Sequence, residues 1–357
     1  MMPDRQPGRP ILPDLGEFSE IIDVRSPAEF AEDHIPGAIN CPVLDNEQRI
    51  VVGTLHKQAS PFEARKVGAA MVSENIARHL RTHFLDRPKD WKPLIYCWRG
   101  GNRSGAMTTV FRAIGWKATQ LEGGYKTWRS HVIAQLEQLP PKLSFRVICG
   151  ATGSGKTRIL QGIAGLGEQV LDLETLASHK GSVLGVLPGQ PQPSQKWFET
   201  LLLQAISACD PARPIYVEAE SRKIGRLHVP EMLLERIRQG ERLDVEASLA
   251  ARVDFLLTDY DYFLQMPDLL IQRLDGLKNL HSRETLSRWH ELIRSADWTS
   301  LVHELLEQHY DALYRRSQGL HFLGRLHPVA FATDDLSPRG IADLAQRIVH
   351  SRTAQIA

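Results

Sequence analysis

Two consecutive α/β domains, each built on a parallel sheet, are predicted by three features of the sequence. The chain has 357 residues, more than one hydrophobic core usually fills. Its first third alternates short apolar runs with helical stretches, and a second apolar strand near position 145 runs directly into a glycine-rich loop and another helix.

In the first segment, Glu20 to Val24 reads as a strand, Pro27 to Asp33 as a helix and Leu94 to Tyr96 as a strand. Pro61 to Phe84, with apolar residues at mixed three and four spacing, suits one amphipathic helix or two. A helix ending near Leu136 is stopped by Leu139, Pro140 and Pro141, because proline disfavours helical geometry in its predecessor and donates no amide. The boundary is placed there: residues 1–138 as one domain, 139–144 as a linker and 145–357 as the second domain. That second domain opens with the strand Phe145 to Cys149 and a helix from Lys156 to about Ala164. Gln169 to Leu173, Pro214 to Glu218 and Val329 to Thr333 read as further strands, and Pro230 to Arg316 as a mostly helical insertion.

Composition narrows the function. With 42% hydrophobic and 24% charged residues and no apolar run near the roughly 20 residues of a membrane span, the chain reads as an ordinary globular protein of the cytoplasm with no membrane role. Met1 to Pro13 are polar and carry no apolar leader core. Cys41, Cys97, Cys149 and Cys209 are widely spaced without a CxxC pair, which argues against a disulfide framework and against zinc. Basic residues number 43 and acidic ones 42, so any contact with nucleic acid must come from a local patch.

Cys97 follows a strand and opens the loop Cys97-Trp98-Arg99-Gly100-Gly101-Asn102-Arg103-Ser104 before a helix from Gly105 to Ile114. Converging loop amides, the helix dipole, Arg99 and Arg103 would stabilise a thiolate and an anion beside it, and Gly100 and Gly101 let the loop curl. Cys97 is therefore the candidate nucleophile rather than one more buried small hydrophobe. Trp98 serves either as an apolar wall or as a stacking platform for a base.

Around this loop, Asp23-Val24-Arg25-Ser26-Pro27, Glu29-Phe30, His34-Ile35-Pro36-Gly37-Ala38-Ile39-Asn40 and Leu121-Glu122-Gly123-Gly124 with Trp128 resemble the signature of rhodanese domains, with Cys97 at the family's nucleophile. The likeness implies a persulfide or selenium adduct on Cys97, with Asp23, Arg25 and Gly37 as scaffold. The C-x5-R spacing from Cys97 to Arg103 departs from the usual sulfurtransferase loop and is shared with rhodanese-fold phosphatases.

Gly150-Ala151-Thr152-Gly153-Ser154-Gly155-Lys156-Thr157 satisfies the P-loop pattern between a strand and a helix. Gly150, Gly153, Ser154 and Gly155 would present amides to phosphate oxygens, Lys156 would neutralise them and Thr157 would reach a bound Mg²⁺. Glu218 and, below it, Asp172 are the candidate acid or metal partners, each at the end of an apolar strand; charges merely reaching solvent are the competing reading. Arg222, Lys223 and Arg226, with His228, form the densest basic cluster, suited to RNA or diphosphate contacts or to a solvated turn. His309 to Asp311 and Tyr314 to Arg316 read as a helix end whose arginines complement the dipole rather than as a lid.

The rhodanese-like module followed by the P-loop module, with Val170 to Glu174, Lys180-Gly181-Ser182 and Val217 to Gly225, resembles the bacterial tRNA 2-selenouridine synthases over nearly the whole chain. The resemblance implies a selenotransferase and geranyltransferase that replaces sulfur by selenium in the wobble 2-thiouridine of tRNA. Its substrates would be selenophosphate and geranyl diphosphate, by way of an S-geranylated intermediate. A selenophosphate-producing enzyme is an implied partner. Two other readings remain: a rhodanese-fold phosphatase or sulfurtransferase fused to a P-loop kinase for a small molecule, and an RNA-binding module with inert motifs. Lys156 equally suits ATP, although no adenine-recognition motif is present.

Overall fold

The computed structural model describes residues 12–314 and 329–351; Met1 to Ile11, Arg315 and Arg316 lie outside them. The chain divides into two compact units, Met1–Gln135 with Ser194–Thr200, and Leu136–Pro193 with Leu201–Ala357.

The first unit holds β1 (Glu20–Asp23), α1 (Pro27–Glu32), β2 (Ile39–Asn40), α2 (Asn46–Gln58), α3 (Pro61–His79), β3 (Pro93–Tyr96), α4 (Asn102–Ile114), β4 (Thr119–Gln120) and most of α5 (Tyr125–Gln138). Its four strands form a parallel sheet in the order β2-β1-β3-β4, with Ile22 opposite Ile95 and Asp23 opposite Tyr96. The apolar run predicted at 94–96 is the buried central strand, as a parallel sheet covered on both faces requires. Pro61 to Phe84 is one long helix whose last turn, Leu80–Phe84, is π-helical and drops Phe84 into the core beside Trp91 and Phe111.

The rhodanese-type residues fold as scaffold. Asp23 and Arg25 are both buried; the guanidinium donates to both oxygens of the Asp23 carboxylate and, at 2.6 Å, to the Asp33 carbonyl, and lies 4.0 Å from the Tyr125 ring centroid. The Tyr125 hydroxyl donates to Asp33 at 2.6 Å, and so does Thr200 at 2.8 Å. Gly37 sits at φ +78°, a left-handed turn open to glycine.

The second unit runs β5 (Phe145–Cys149), α6 (Lys156–Gly165), β6 (Gln169–Leu171), α7 (Leu173–Ala177), the rest of α8 (Gln195–Ser207), β7 (Ile215–Glu218), β8 (Lys223–Ile224), β9 (Leu227–His228), α9 (Glu231–Arg238), β10 (Glu241–Ala247), α10 (Leu249–Asp259), α11 (Asp261–Gln265), α12 (Pro267–Asp275), α13 (Arg283–Arg294), α14 (Trp298–Leu305), β11 (Val329–Thr333) and α15 (Pro338–His350). The five-stranded parallel sheet is ordered β11-β10-β5-β7-β6, so β5 again lies at the centre.

Two expectations change. The segment read as mostly helical contains β10, paired with both β5 and β11; its alternation of Leu243 and Val245 with Arg242, Asp244 and Glu246 has the period of a half-buried strand. The strand expected to reach Leu173 stops at Leu171, because Asp172 caps α7 by accepting from the Thr175 amide. No helix among the described residues is long and apolar enough to cross a membrane, and all four cysteines are free.

Removing one partner of the Asp23–Arg25 pair leaves a buried charge uncompensated. Arg25→Met should cost the first unit about 3–5 kcal/mol, read as a lower urea midpoint for its unfolding; an unshifted midpoint would mean that the pair contributes little.

Candidate functional site

Each unit presents one site at the carboxyl end of its central strand. In the first, β3 delivers Cys97, 3% exposed, into the turn before α4. Gly101 takes φ +81° as the helix N-cap, a conformation that penalises any Cβ. The Ser104 hydroxyl donates to Cys97 Sγ at 3.2 Å, and the Gln120 amide donates to Ser104 Oγ at 2.9 Å and to the Gly101 carbonyl at 2.8 Å. A chain of donors therefore ends on the sulfur. The opposite wall is set by Gly124: a Cβ there would overlap the Cys97 carbonyl, which accepts from the Tyr125 amide at 2.8 Å. The paired glycines of the closing motif thus allow the backbone to pass under the nucleophile.

The two arginines differ. Arg99 is exposed on the loop with Gly100, while Arg103 pairs with both carboxylate oxygens of Glu29, at 2.6 and 3.1 Å. Burial alone would raise Glu29, but the Arg103 hydrogen bond and charge, with the Ser26 amide, hold it down at about 2. Arg103 therefore ties the first turn of α4 to α1 and supports the loop from outside. Trp98 stacks on Tyr125 at 5.3 Å between centroids.

In the second unit the P-loop wraps the start of α6 with Gly153 at φ +82° and Gly155 at φ +72°. Gly150 has no room for a side chain, since a Cβ would come within 2.9 Å of the Val245 carbonyl. Lys156 Nζ lies 3.1 Å from the Gly150 carbonyl, and Ser154 Oγ is buried without a hydrogen-bond partner. Arg252 holds the loop from behind, donating to the Thr152 carbonyl at 2.8 Å while Asp311 grips its other nitrogens at 2.6 and 3.1 Å.

The carboxylates gather differently from the sequence expectation. Glu218 stands at the site, but its companions are Glu174 and Glu220, the three offering oxygens within 4.8 Å of one another. Asp172 is spent on its cap, where its carboxylate takes both the amide and the hydroxyl of Thr175. Thr157 donates to Glu174 at 3.0 Å, and Glu218 Oε1 is buried without a partner. Spacing held a clue to Glu220, because positions 218 and 220 share one face of extended chain; Glu174 arrives from the first turn of α7. Gly181, at φ +61°, lets the Lys180–Ser182 loop lie on the cluster, where a Cβ would meet Glu174 at 2.8 Å.

The P-loop, the acidic cluster and residues of α10 line a cleft of about 450 Å³. A smaller apolar slot of about 70 Å³ adjoins it, sharing Thr152, Ser182, Leu256, Tyr260 and Tyr310 and running on between Phe263, Leu270, Leu301 and Leu305. Neither the acidic triad nor this slot was visible in the sequence pattern. Of the basic cluster, Arg222, Lys223 and His228 are exposed on the β8–β9 hairpin, whereas Arg226 donates to the Gln192 and Pro193 carbonyls at 2.6 and 3.2 Å.

Burial, followed by mutual repulsion, pushes Glu174 and Glu218 up to about 8 and Glu220 to about 7, against the pull of Lys156. These folded values lie above the ordinary 4.5, so the folded chain holds protons that the unfolded chain releases. The resulting stabilisation is complete below 4.5 and fades as pH rises toward 8. Glu218→Gln should flatten that decline in a thermal unfolding series from pH 5 to 9 in chelator, with the sign of the slope as the check.

Comparison with known proteins bears on the family. Residues 12–131 match the Rhodanese-like domain, and residues 143–294 match the tRNA 2-selenouridine synthase AAA domain. The tRNA 2-selenouridine synthase of Alcanivorax borkumensis is 33% identical over 82% of this chain and 88% of that one. The enzyme of Nitrosomonas europaea is 37% identical over 67% of this chain, and that of Bdellovibrio bacteriovorus 34% over 67%. The matched region spans less than two thirds of these last two relatives, 63% and 64% of their lengths. With a rhodanese-like unit, a P-loop unit and a relative matched almost end to end, the chain belongs to the tRNA 2-selenouridine synthase family.

Proposed function

We propose that this protein acts in the cytoplasm to replace sulfur by selenium in wobble 2-thiouridine of tRNA, taking selenium from selenophosphate after S-geranylation by geranyl diphosphate. The observation that carries the reading is the apolar slot opening from the P-loop cleft. A phosphate cradle joined to an apolar slot suits a diphosphate with a short hydrocarbon tail; the slot itself offers no polar group suited to a nucleobase edge apart from hydroxyls near its mouth.

In this reading Gly150, Gly153, Ser154, Gly155 and Lys156 hold the diphosphate, and their positive field stabilises the charge that develops as it departs. The tRNA sulfur takes the prenyl carbon, leaving a thioether that is a better leaving group than the original sulfur. Cys97, with Ser104 and the loop amides, lines the place that receives selenophosphate in the first unit, where its selenium attacks C2 of the base, geranylthiolate leaves, and hydrolysis then frees phosphate. Arg222 and Lys223, exposed on their hairpin, contact tRNA phosphates. Arg103, already paired with Glu29, favours this reading over a phosphatase, whose loop arginine would have to grip the phosphate itself.

The oxygen donors of Thr157, Glu174, Glu218 and Glu220 suit a hard divalent cation such as Mg²⁺, and the unpartnered Glu218 oxygen is consistent with one. Those residues would hold it, and when bound it would offset the negative charge of a diphosphate. Cation binding displaces the protons kept by the raised carboxyls. Calorimetry of Mg²⁺ at pH 7 in buffers of different ionisation enthalpy should therefore show proton release, absent in Glu218→Gln.

The decisive experiment is nucleoside mass analysis of 2-thiouridine tRNA incubated with the protein, with selenophosphate and geranyl diphosphate each supplied or withheld. Geranylated nucleoside from the prenyl donor alone, chased to selenouridine by selenophosphate, is the expected result. Cys97→Ser should accumulate the geranylated species and Lys156→Ala should form neither product. Unchanged tRNA throughout, from folded protein, would sink the reading.

A further inference from the structure

The cleft carries a buried histidine pair that the motifs do not use. The helix running on from α14 is π-helical over Leu306–Tyr310, an insertion that re-aims side chains and is frequent at functional sites. It brings His309 and Tyr310 to the wall of the P-loop cleft. His309 is 2% exposed; its Nδ1 lies 2.9 Å from Nε2 of His281, while its own Nε2 is buried with no hydrogen-bond partner. The His281 ring packs edge-on against Trp289 at 4.8 Å, and His309 packs edge-on against Tyr310 at 4.8 Å.

Which ring donates across the His281–His309 contact sets the roles of the ring nitrogens. If His309 Nδ1 carries the proton and donates it to His281, Nε2 of His309 is a bare lone pair, the nitrogen left over on the cleft-lining ring. An unpaired polar atom buried in this way is costly, and a bound partner would remove that cost. Burial, and then the neighbouring charge of His281, depress the His309 pKa, which keeps the ring neutral and able to accept.

We propose that His309 is the proton acceptor of the prenyl-transfer step, with His281 as the positioning residue behind it. The inference rests on the prenyl-transfer reading above. In that step the carbon–sulfur bond forms, the carbon–oxygen bond to the diphosphate breaks, and the N3 proton of 2-thiouridine must leave because the alkylated base no longer holds it. Nε2 of His309 takes that proton, the resulting imidazolium is stabilised through the His281 hydrogen bond, and diphosphate departs with the electrons of the broken bond. No oxidant or further reactant is needed.

The test compares wild type, His309→Gln, His309→Ala and His281→Phe in geranyl transfer to 2-thiouridine tRNA, with geranyl diphosphate binding measured separately by calorimetry. Loss of a positioned base should lower kcat by about 100-fold or more in both His309 variants, while KM and the calorimetric affinity change little. Free imidazole should restore part of the rate to His309→Ala alone, and His281→Phe should show a smaller fall confined to kcat. Wild-type kcat in His309→Gln overturns the inference while leaving prenyl transfer intact. A fall in both His309 variants that imidazole does not restore, accompanied by lost geranyl diphosphate binding, also overturns it, since the residue would then be structural. Absence of transfer by the wild type itself would instead strike the functional reading on which the inference rests.

Discussion

A fully buried parallel strand that ends in a tight turn into a helix is the constraint on which both units depend. Such a strand is satisfied by its neighbours along its length, but at its carboxyl end the backbone must turn and leave amides pointing outward together. In the first unit that end carries Cys97, and in the second the P-loop. The local demands are the same: glycines at positive φ, close backbone approach from an adjacent segment, and a helix whose first turn faces the vacated space. Gly101 and Gly124 meet those demands in one unit, Gly150, Gly153 and Gly155 in the other.

How firmly each turn is held depends on contacts far along the chain. The first is tied by Arg103 to Glu29 and supported below by the buried Asp23, Arg25 and Asp33 set. The second is braced by Arg252, itself gripped by Asp311, and flanked by three carboxylates whose repulsion is relieved only by protons, by Lys156 or by a cation. The first turn is therefore braced by paired charges, while the second stores electrostatic cost at the place where a charged ligand would arrive.

Sequence reading succeeded where the determinant was local. The Cys97 loop and the P-loop are contiguous, their glycines mark special backbone conformations, and both appear where their spacing put them. It fell short where tertiary structure brings residues together. Asp172 and Glu174 are two positions apart, yet one is a helix cap and the other joins Glu218 and Glu220; only the pairing of β6 with β7 decides which. Arg103 looked like a ligand for an anion because its partner, Glu29, is 74 positions away. The strand β10 was hidden because its solvent-facing alternates are charged, so its even-period apolar residues sat inside a polar text that resembled helix. The His281–His309 pair and the apolar slot are likewise assembled from the helical insertion, where periodicity reveals a buried face but not what that face encloses.

The shared wall between cleft and slot limits how the site can vary. Leu256 lines both, and its side chain lies where a Cβ on Gly153 of the P-loop would strike it, at 2.9 Å. Tyr260 also lines both, beneath the Lys180 ammonium at 4.0 Å from its ring. A substitution at either position alters the cleft and the slot together, so those two spaces cannot drift separately there. Leu270 and Leu301 border the slot alone. Change at the deep end of the slot is thus free of the P-loop, while change at its mouth reaches the loop as well.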